Sequence, residues 1–191
     1  MDYWPTIAAS DVTIGGLRKV CIPHRAHQFW HVLTAIPTLE DLNQIRQALT
    51  PPLMTLFLSL QPNEQAHSLR IYRQLLQQEE THKDLLLAAL LHDVGKSRYP
   101  LNLWERVVVV LGKRIFPMGV QYWGHGEPHG WKRSFVVAEQ HASWGAEITM
   151  HAGASSGVVS FIRRHHDPVK DPFKQQDDQF LRQLQLLDDE S

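Results

Sequence analysis

Leu85-Leu86-Leu87-Ala88-Ala89-Leu90-Leu91-His92-Asp93-Val94-Gly95-Lys96 is the stretch around which the chain is read. Seven apolar residues run without a break, Leu85 to Leu91, so no face of the segment suits water. A helix apolar all round belongs in a core. Thr81, with Asp84 three residues on, is expected to open it in capping-box style. Gly95 is expected to close it as a left-handed C-terminal residue. His92 and Asp93 then stand side by side at the negative end of the helix dipole, in dry surroundings. A carboxylate in that position needs a cation, and a divalent metal would supply it, with His92 as a second ligand. The competing reading is a plain helix C-cap with a solvated aspartate.

The chain has 191 residues, enough for one domain with a substantial core. Its formal charge is −1, without the basic excess of a dedicated duplex-DNA binder. One cysteine, Cys21, excludes an internal disulfide and suits a reducing compartment. The start, Met1-Asp2-Tyr3-Trp4-Pro5, lacks a basic region followed by an apolar one, so no signal peptide is expected. No apolar run approaches the ~20 residues of a membrane span. The expectation is a cytoplasmic protein with no membrane partner. Its oligomeric state is not legible.

Periodicity predicts helices through most of the chain. Residues 1–36 resist reading; His27 and His31 are four apart but have no acidic or thiolate company, so they are taken as core or surface histidines. Thr38-Leu39-Glu40-Asp41 is a capping box opening a helix to about Leu49. Pro51-Pro52 starts another, with Leu53, Leu56, Phe57 and Leu60 inward, and Pro62 a third running to about Glu80. On that third helix His67, Ile71 and Leu75 share a face. Asn102 to Leu111 is read as a helix, although its β-branched run also fits a strand. Five glycines and prolines from Gly119 to Gly130 make 112–130 a loop, rich in aromatics around Trp123. Ser134–His151 carries the stripe Val137, His141, Trp144, Gly145 and Ile148. The cost of Gly145, ~1 kcal/mol against alanine, implies a close neighbour. Ser155 or Ser156 caps the next helix, which ends at His165-His166-Asp167-Pro168; periodicity does not choose between the two histidines. Asp177 or Asp178 caps a last helix with Leu181, Leu184, Leu187 and Asp188 inward, and Asp189, Arg182 and Gln185 outward. The fold class is all-α.

His67, His92-Asp93, His141, His165 (or His166) and Asp188 thus fall on inward faces or ends of five helices. Imidazole and carboxylate suit Mn, Fe, Co, Ni or Zn, and four histidines with two aspartates can hold two ions. The absence of cysteine ligands argues against a thiolate zinc site.

These residues carry a resemblance. His67, then His92-Asp93-Val94-Gly95-Lys96, then Asp188 resemble the H…HD…D signature of the HD-domain metal-dependent phosphohydrolase superfamily. His141-Ala142-Ser143-Trp144-Gly145-Ala146 is similar to the H-x-x-x-G-A segment of its two-metal branches, and Ile162-Arg163-Arg164-His165-His166-Asp167 to their later histidine segment. The resemblance covers residues 62–191, an HD-type domain, and leaves 1–61 as an N-terminal helical extension packed on it. It implies that Asp93 bridges two divalent transition-metal ions. His67, His92 and Asp188 would complete one, His141 and His165 the other, with His166 the alternate. Asp167-Pro168-Val169-Lys170 stands where the HD-GYP branch has its G-Y-P motif, which disfavours a cyclic dinucleotide. The spacing is closer to small bacterial HD hydrolases acting on nucleotides or dinucleoside polyphosphates.

The implied activity is hydrolysis of a phosphoester or phosphoanhydride by metal-activated hydroxide, the small-molecule substrate being a nucleotide. Asp93 and Lys96 are the candidate catalytic residues, Lys96 as a point cation against developing charge. Arg163 or Arg164 is a candidate grip on a distal phosphate, and the loop near Trp123 a candidate stacking platform for a base. The alternatives are an HD-type mixed-valent di-iron oxygenase using the same ligands, or a nucleotide-binding sensor without turnover.

Overall fold

The computed structural model describes residues 36–169 and 176–190. The expectations for His27, His31 and Cys21 lie outside them. The described residues form nine α-helices and no strand: α1 Leu39–Ala48, α2 Pro51–Ser59, α3 Pro62–Gln77, α4 Lys83–Leu91, α5 Leu103–Ile115, α6 Pro117–Trp123, α7 Arg133–His151, α8 Ser156–Arg164 and α9 Gln176–Glu190. Two short 3-10 turns, Val94–Arg98 and Gly130–Lys132, precede α5 and α7. None of these helices is long and apolar enough to cross a membrane.

α4 is the central element, packed against α2, α3, α8 and α9. Leu85, Ala88, Ala89, Leu90 and Leu91 are fully buried, while Leu86 and Leu87 are partly so. Full burial of a leucine contributes ~2 kcal/mol, so this short helix is held by packing rather than by propensity. Ile45 and Leu49 at the end of α1, and Leu53, Met54 and Phe57 of α2, enter the same core as Leu181, Leu184 and Leu187 of α9.

The capping box before α1 forms as read: Thr38 Oγ1 accepts from the Asp41 amide at 3.2 Å, and Asp41 Oδ2 from the Thr38 amide at 2.8 Å. Arg73 of α3 pairs with the same carboxylate. Thr38→Ala is expected to lower stability by ~1 kcal/mol, read as a shifted urea midpoint with unchanged slope.

Several local expectations are corrected. His82, not Thr81, caps α4, its Nδ1 accepting from the Leu85 amide at 3.2 Å. Glu80 claims the Thr81 amide at 2.8 Å, and Asp84 instead accepts from Ser155 Oγ at 2.8 Å, tying the start of α4 to the cap of α8. Gly95 is not left-handed; it lies within the 3-10 turn that follows α4. Residues 112–130 are not a continuous loop, because α5 runs on to Ile115 and α6 follows after Pro117. Gly112 marks close packing there rather than a break: a Cβ would stand 2.6 Å from the Phe135 ring. Asp177 and Asp178 lie in the first turn of α9. Gln185 is buried rather than outward, its Nε2 donating to the Asp167 carbonyl at 2.7 Å.

Candidate metal centre

Six elements deliver side chains to one place. α3 contributes His67, the end of α4 His92 and Asp93, the following turn Lys96, α7 His141, the end of α8 His165 and His166, and α9 Asp188. The turn reaches α7 only because both partners lack a side chain at the crossing. A Cβ on Gly95 would lie 2.6 Å from the Gly145 nitrogen and closer still to the His141 carbonyl oxygen. The close neighbour expected at Gly145 is therefore the backbone of the His-Asp turn itself.

The buried imidazoles are oriented by main-chain carbonyls. His92 Nδ1 donates to Ala89 O at 3.0 Å, His141 Nδ1 to Val137 O at 3.0 Å and His165 Nδ1 to Ile162 O at 2.7 Å. A carbonyl can only accept, so each Nδ1 carries a hydrogen and each Nε2 is turned inward, as a lone pair on the neutral His141 and His165. His141 Nε2 then lies 3.3 Å from His165 Nε2, 3.2 Å from His166 Nε2 and 3.3 Å from Asp93 Oδ1. On the other side of Asp93, His67 Nε2 meets Asp188 Oδ1 at 2.8 Å, and His92 Nε2 lies 3.5 Å from Asp188 Oδ1 and 3.6 Å from Asp93 Oδ2. The fully buried His92 Nε2 has no hydrogen-bond partner. His67, His92 and Asp188 form one group able to hold a metal ion, and His141, His165 and His166 another.

Electrostatics separates the two groups. Burial holds the His141 pKa down, and burial with His166 and His141 alongside holds His165 well down, so both are neutral. Burial also opposes a charge on His92, but Asp93 and Asp188 outweigh it and raise its pKa to about 9. A proton there offsets the carboxylates in the metal-free chain, as a cation would. Asp93 is buried, yet Lys96 and His92 keep it ionised, its pKa well below the usual range. Lys96 Nζ donates to Asp93 Oδ2 at 2.6 Å, and Asp93 raises the lysine pKa against the cost of burial. Lone pairs converging on one buried carboxylate, with too few hydrogens to satisfy them, fit a divalent cation.

A cavity of about 350 Å³ opens over this cluster. His67, Asp93, His141, His166 and Asp188 border it, with Lys96, Arg106 and Lys113 as cations and Val109, Val110, Val137, Ala138 and Leu101 as an aliphatic wall. Arg106 is held by Glu64 at 2.8 Å and Gln61 Oε1 at 2.6 Å.

Every residue of the expected ligand set, with Lys96, is brought together. His166 joins His165 rather than replacing it. Arg163 and Arg164 are not part of the cavity; Arg164 pairs with Asp178 at 2.5 Å. Trp123 is not part of it either, its ring packing on Phe116, Trp131 and Phe135. Sequence reasoning missed Arg106, Lys113 and Glu64. The first two share a pocket-facing stripe with Val109 and Val110, at helical spacing that was visible but ambiguous with a strand.

The family model described as HD domain matches residues 65–190, from just before His67 to just past Asp188. No curated protein and no solved structure matches the chain. HD domains are generally metal-dependent phosphohydrolases, and the His and Asp groups present here could hold such a metal. With the all-α fold, the His-Asp turn after α4 and a match over more than half its length, the chain belongs to the HD domain family.

Proposed function

We propose that the chain hydrolyses a phosphoester or phosphoanhydride of a small molecule, with a nucleotide as the substrate class. His67, His92 and Asp188 would hold one divalent ion, His141, His165 and His166 a second, and Asp93 would lie between them. The observation that carries this reading is the facing of Nε2 atoms across 3.2–3.3 Å beside Asp93, with the Nδ1 hydrogens already committed to carbonyls. Divalent metal bound there supplies Lewis acidity, lowering the pKa of water and neutralising phosphoryl charge.

The chain's own groups do the rest. Lys96 balances Asp93 and presents its ammonium to the cavity, where it can donate to a phosphoryl oxygen. Arg106 offers a guanidinium fixed by Glu64 and Gln61, suited to a second phosphate oxygen. The aliphatic wall lowers the polarity on one side of these charges. A cavity of about 350 Å³ suits a mononucleotide-sized group rather than a polymer.

Purified protein is expected to carry two equivalents of Mn, Fe, Co, Ni or Zn by elemental analysis. Across a panel of nucleotides and simple phosphoesters it should release phosphate or a nucleoside monophosphate. Chelation should abolish turnover and the same metal restore it. Metal-loaded protein inert on the whole panel would overturn the reading. Oxygen uptake by an iron-loaded, esterase-silent protein would assign the site to oxygen chemistry instead.

A further inference from the structure

α5 is amphipathic in an unusual sense, since it has no buried residue. One side, Arg106, Val109, Val110 and Lys113, faces the cavity. A second rests on α7 through Gly112 and Phe135. The third is apolar and open: Leu103, Trp104, Leu111 and Ile115 are 44, 72, 49 and 60% exposed. α6 extends the surface with Met118 and Tyr122, 78 and 74% exposed. Lys132 Nζ lies 5.8 Å from the Tyr122 ring and 5.5 Å from that of Trp131, which joins Trp131 to the same patch. Large apolar side chains left exposed on neighbouring helices mark a surface that binds something.

We propose that the outward face of α5 and α6, with Trp131, docks onto an anionic lipid surface. Trp104, Tyr122 and Trp131 are the ring types that settle at headgroup level. Arg114 and Lys132 lie on and beside the patch, Glu105 next to Trp104 is paired with Arg133, and residues 106–126 contain no Asp or Glu. That charge complements anionic headgroups. A second copy of the chain would bring to this face the same cations, Arg114 and Lys132, rather than the anionic charge that complements them. No described helix can span a bilayer, so α5 and α6 lie on the membrane with their apolar side down. Docking is independent of the hydrolase reading, because it is measured without turnover.

The full chain is tested by co-sedimentation with vesicles of phosphatidylcholine alone or mixed with phosphatidylserine. It is expected to sediment with the mixed vesicles only, and less at high salt. The double variant Trp104→Glu/Met118→Glu, and separately Arg114→Glu, should weaken partitioning by roughly tenfold or more. These side chains are exposed, so circular dichroism should be unchanged. Failure of the wild-type chain to bind mixed vesicles overturns the proposal. So does binding that the variants leave intact, which would place it elsewhere in the chain. A concentration-dependent dimer that the same variants dissolve assigns the face to a second copy and overturns it equally.

Discussion

Asp93→Asn is expected to abolish metal loading and lower turnover by on the order of 10³-fold, read by elemental analysis and phosphate release. The expectation follows from where the carboxylate stands. It is buried, its Oδ1 lies 3.3 Å from His141 Nε2, and its Oδ2 lies 3.6 Å from His92 Nε2 and 2.6 Å from Lys96 Nζ. An asparagine keeps the shape but removes the charge shared by both candidate ion positions. In metal-free protein the substitution also leaves Lys96 facing a neutral amide and removes the first of the charges that hold a proton on His92. Breaking a fully buried pair costs about 3–5 kcal/mol. Because Lys96 reaches the cavity and its solvent, roughly 2 kcal/mol is expected here. The thermal midpoint of the metal-free variant should therefore fall by roughly 4–8 °C, and added metal should no longer raise it. Unchanged metal content in the variant would remove Asp93 from the centre.

Gly95→Ala is expected to destabilise the fold by ~3 kcal/mol or more and to disrupt the site at the same time. The obstructing atoms are main chain, the His141 carbonyl oxygen and the Gly145 nitrogen, so no rotamer change relieves the clash. Either the 3-10 turn or α7 must move, which separates His92 and Asp93 from His141. Gly145→Ala is a graded control. Its Cβ would meet the Gly95 nitrogen and Ile162 Cγ2 at 3.2 Å, a distance a small adjustment can absorb, and ~1 kcal/mol is expected. Chemical denaturation of both variants checks the order; equal stability of Gly95→Ala and wild type would refute the close approach.

The helices were legible wherever a local rule was strong enough to act alone. Thr38 with Asp41, the prolines at Pro51 and Pro62, and the apolar run of α4 each specify an element from a few neighbouring residues. The rule failed where a residue's reason lies across the fold. Residues from 112 on read as a loop, yet α5 runs through Gly112, which packs against the Phe135 ring, and Asp84 reads as an N-terminal cap partner but is taken by Ser155. Gln185 reads as outward from its polarity, yet the Asp167 carbonyl gives it a buried partner.

The candidate site divides the same way. Helical spacing alone places His67, His141 and Asp188 on inward stripes, and an apolar helix ending in His92-Asp93 requires a counter-charge. Those conclusions need only the period of a helix and the cost of burying a carboxylate. Periodicity could not rank His165 against His166, because Val158, Ile162 and His165 make one stripe and Val159, Ile162 and His166 an almost equal one. Folding turns both toward His141. The cations above the cluster, the shape of the cavity and the outward apolar face of α5 were likewise decided by tertiary structure. Each depends on how α5 lies against α7, a relation between distant segments that no local pattern encodes.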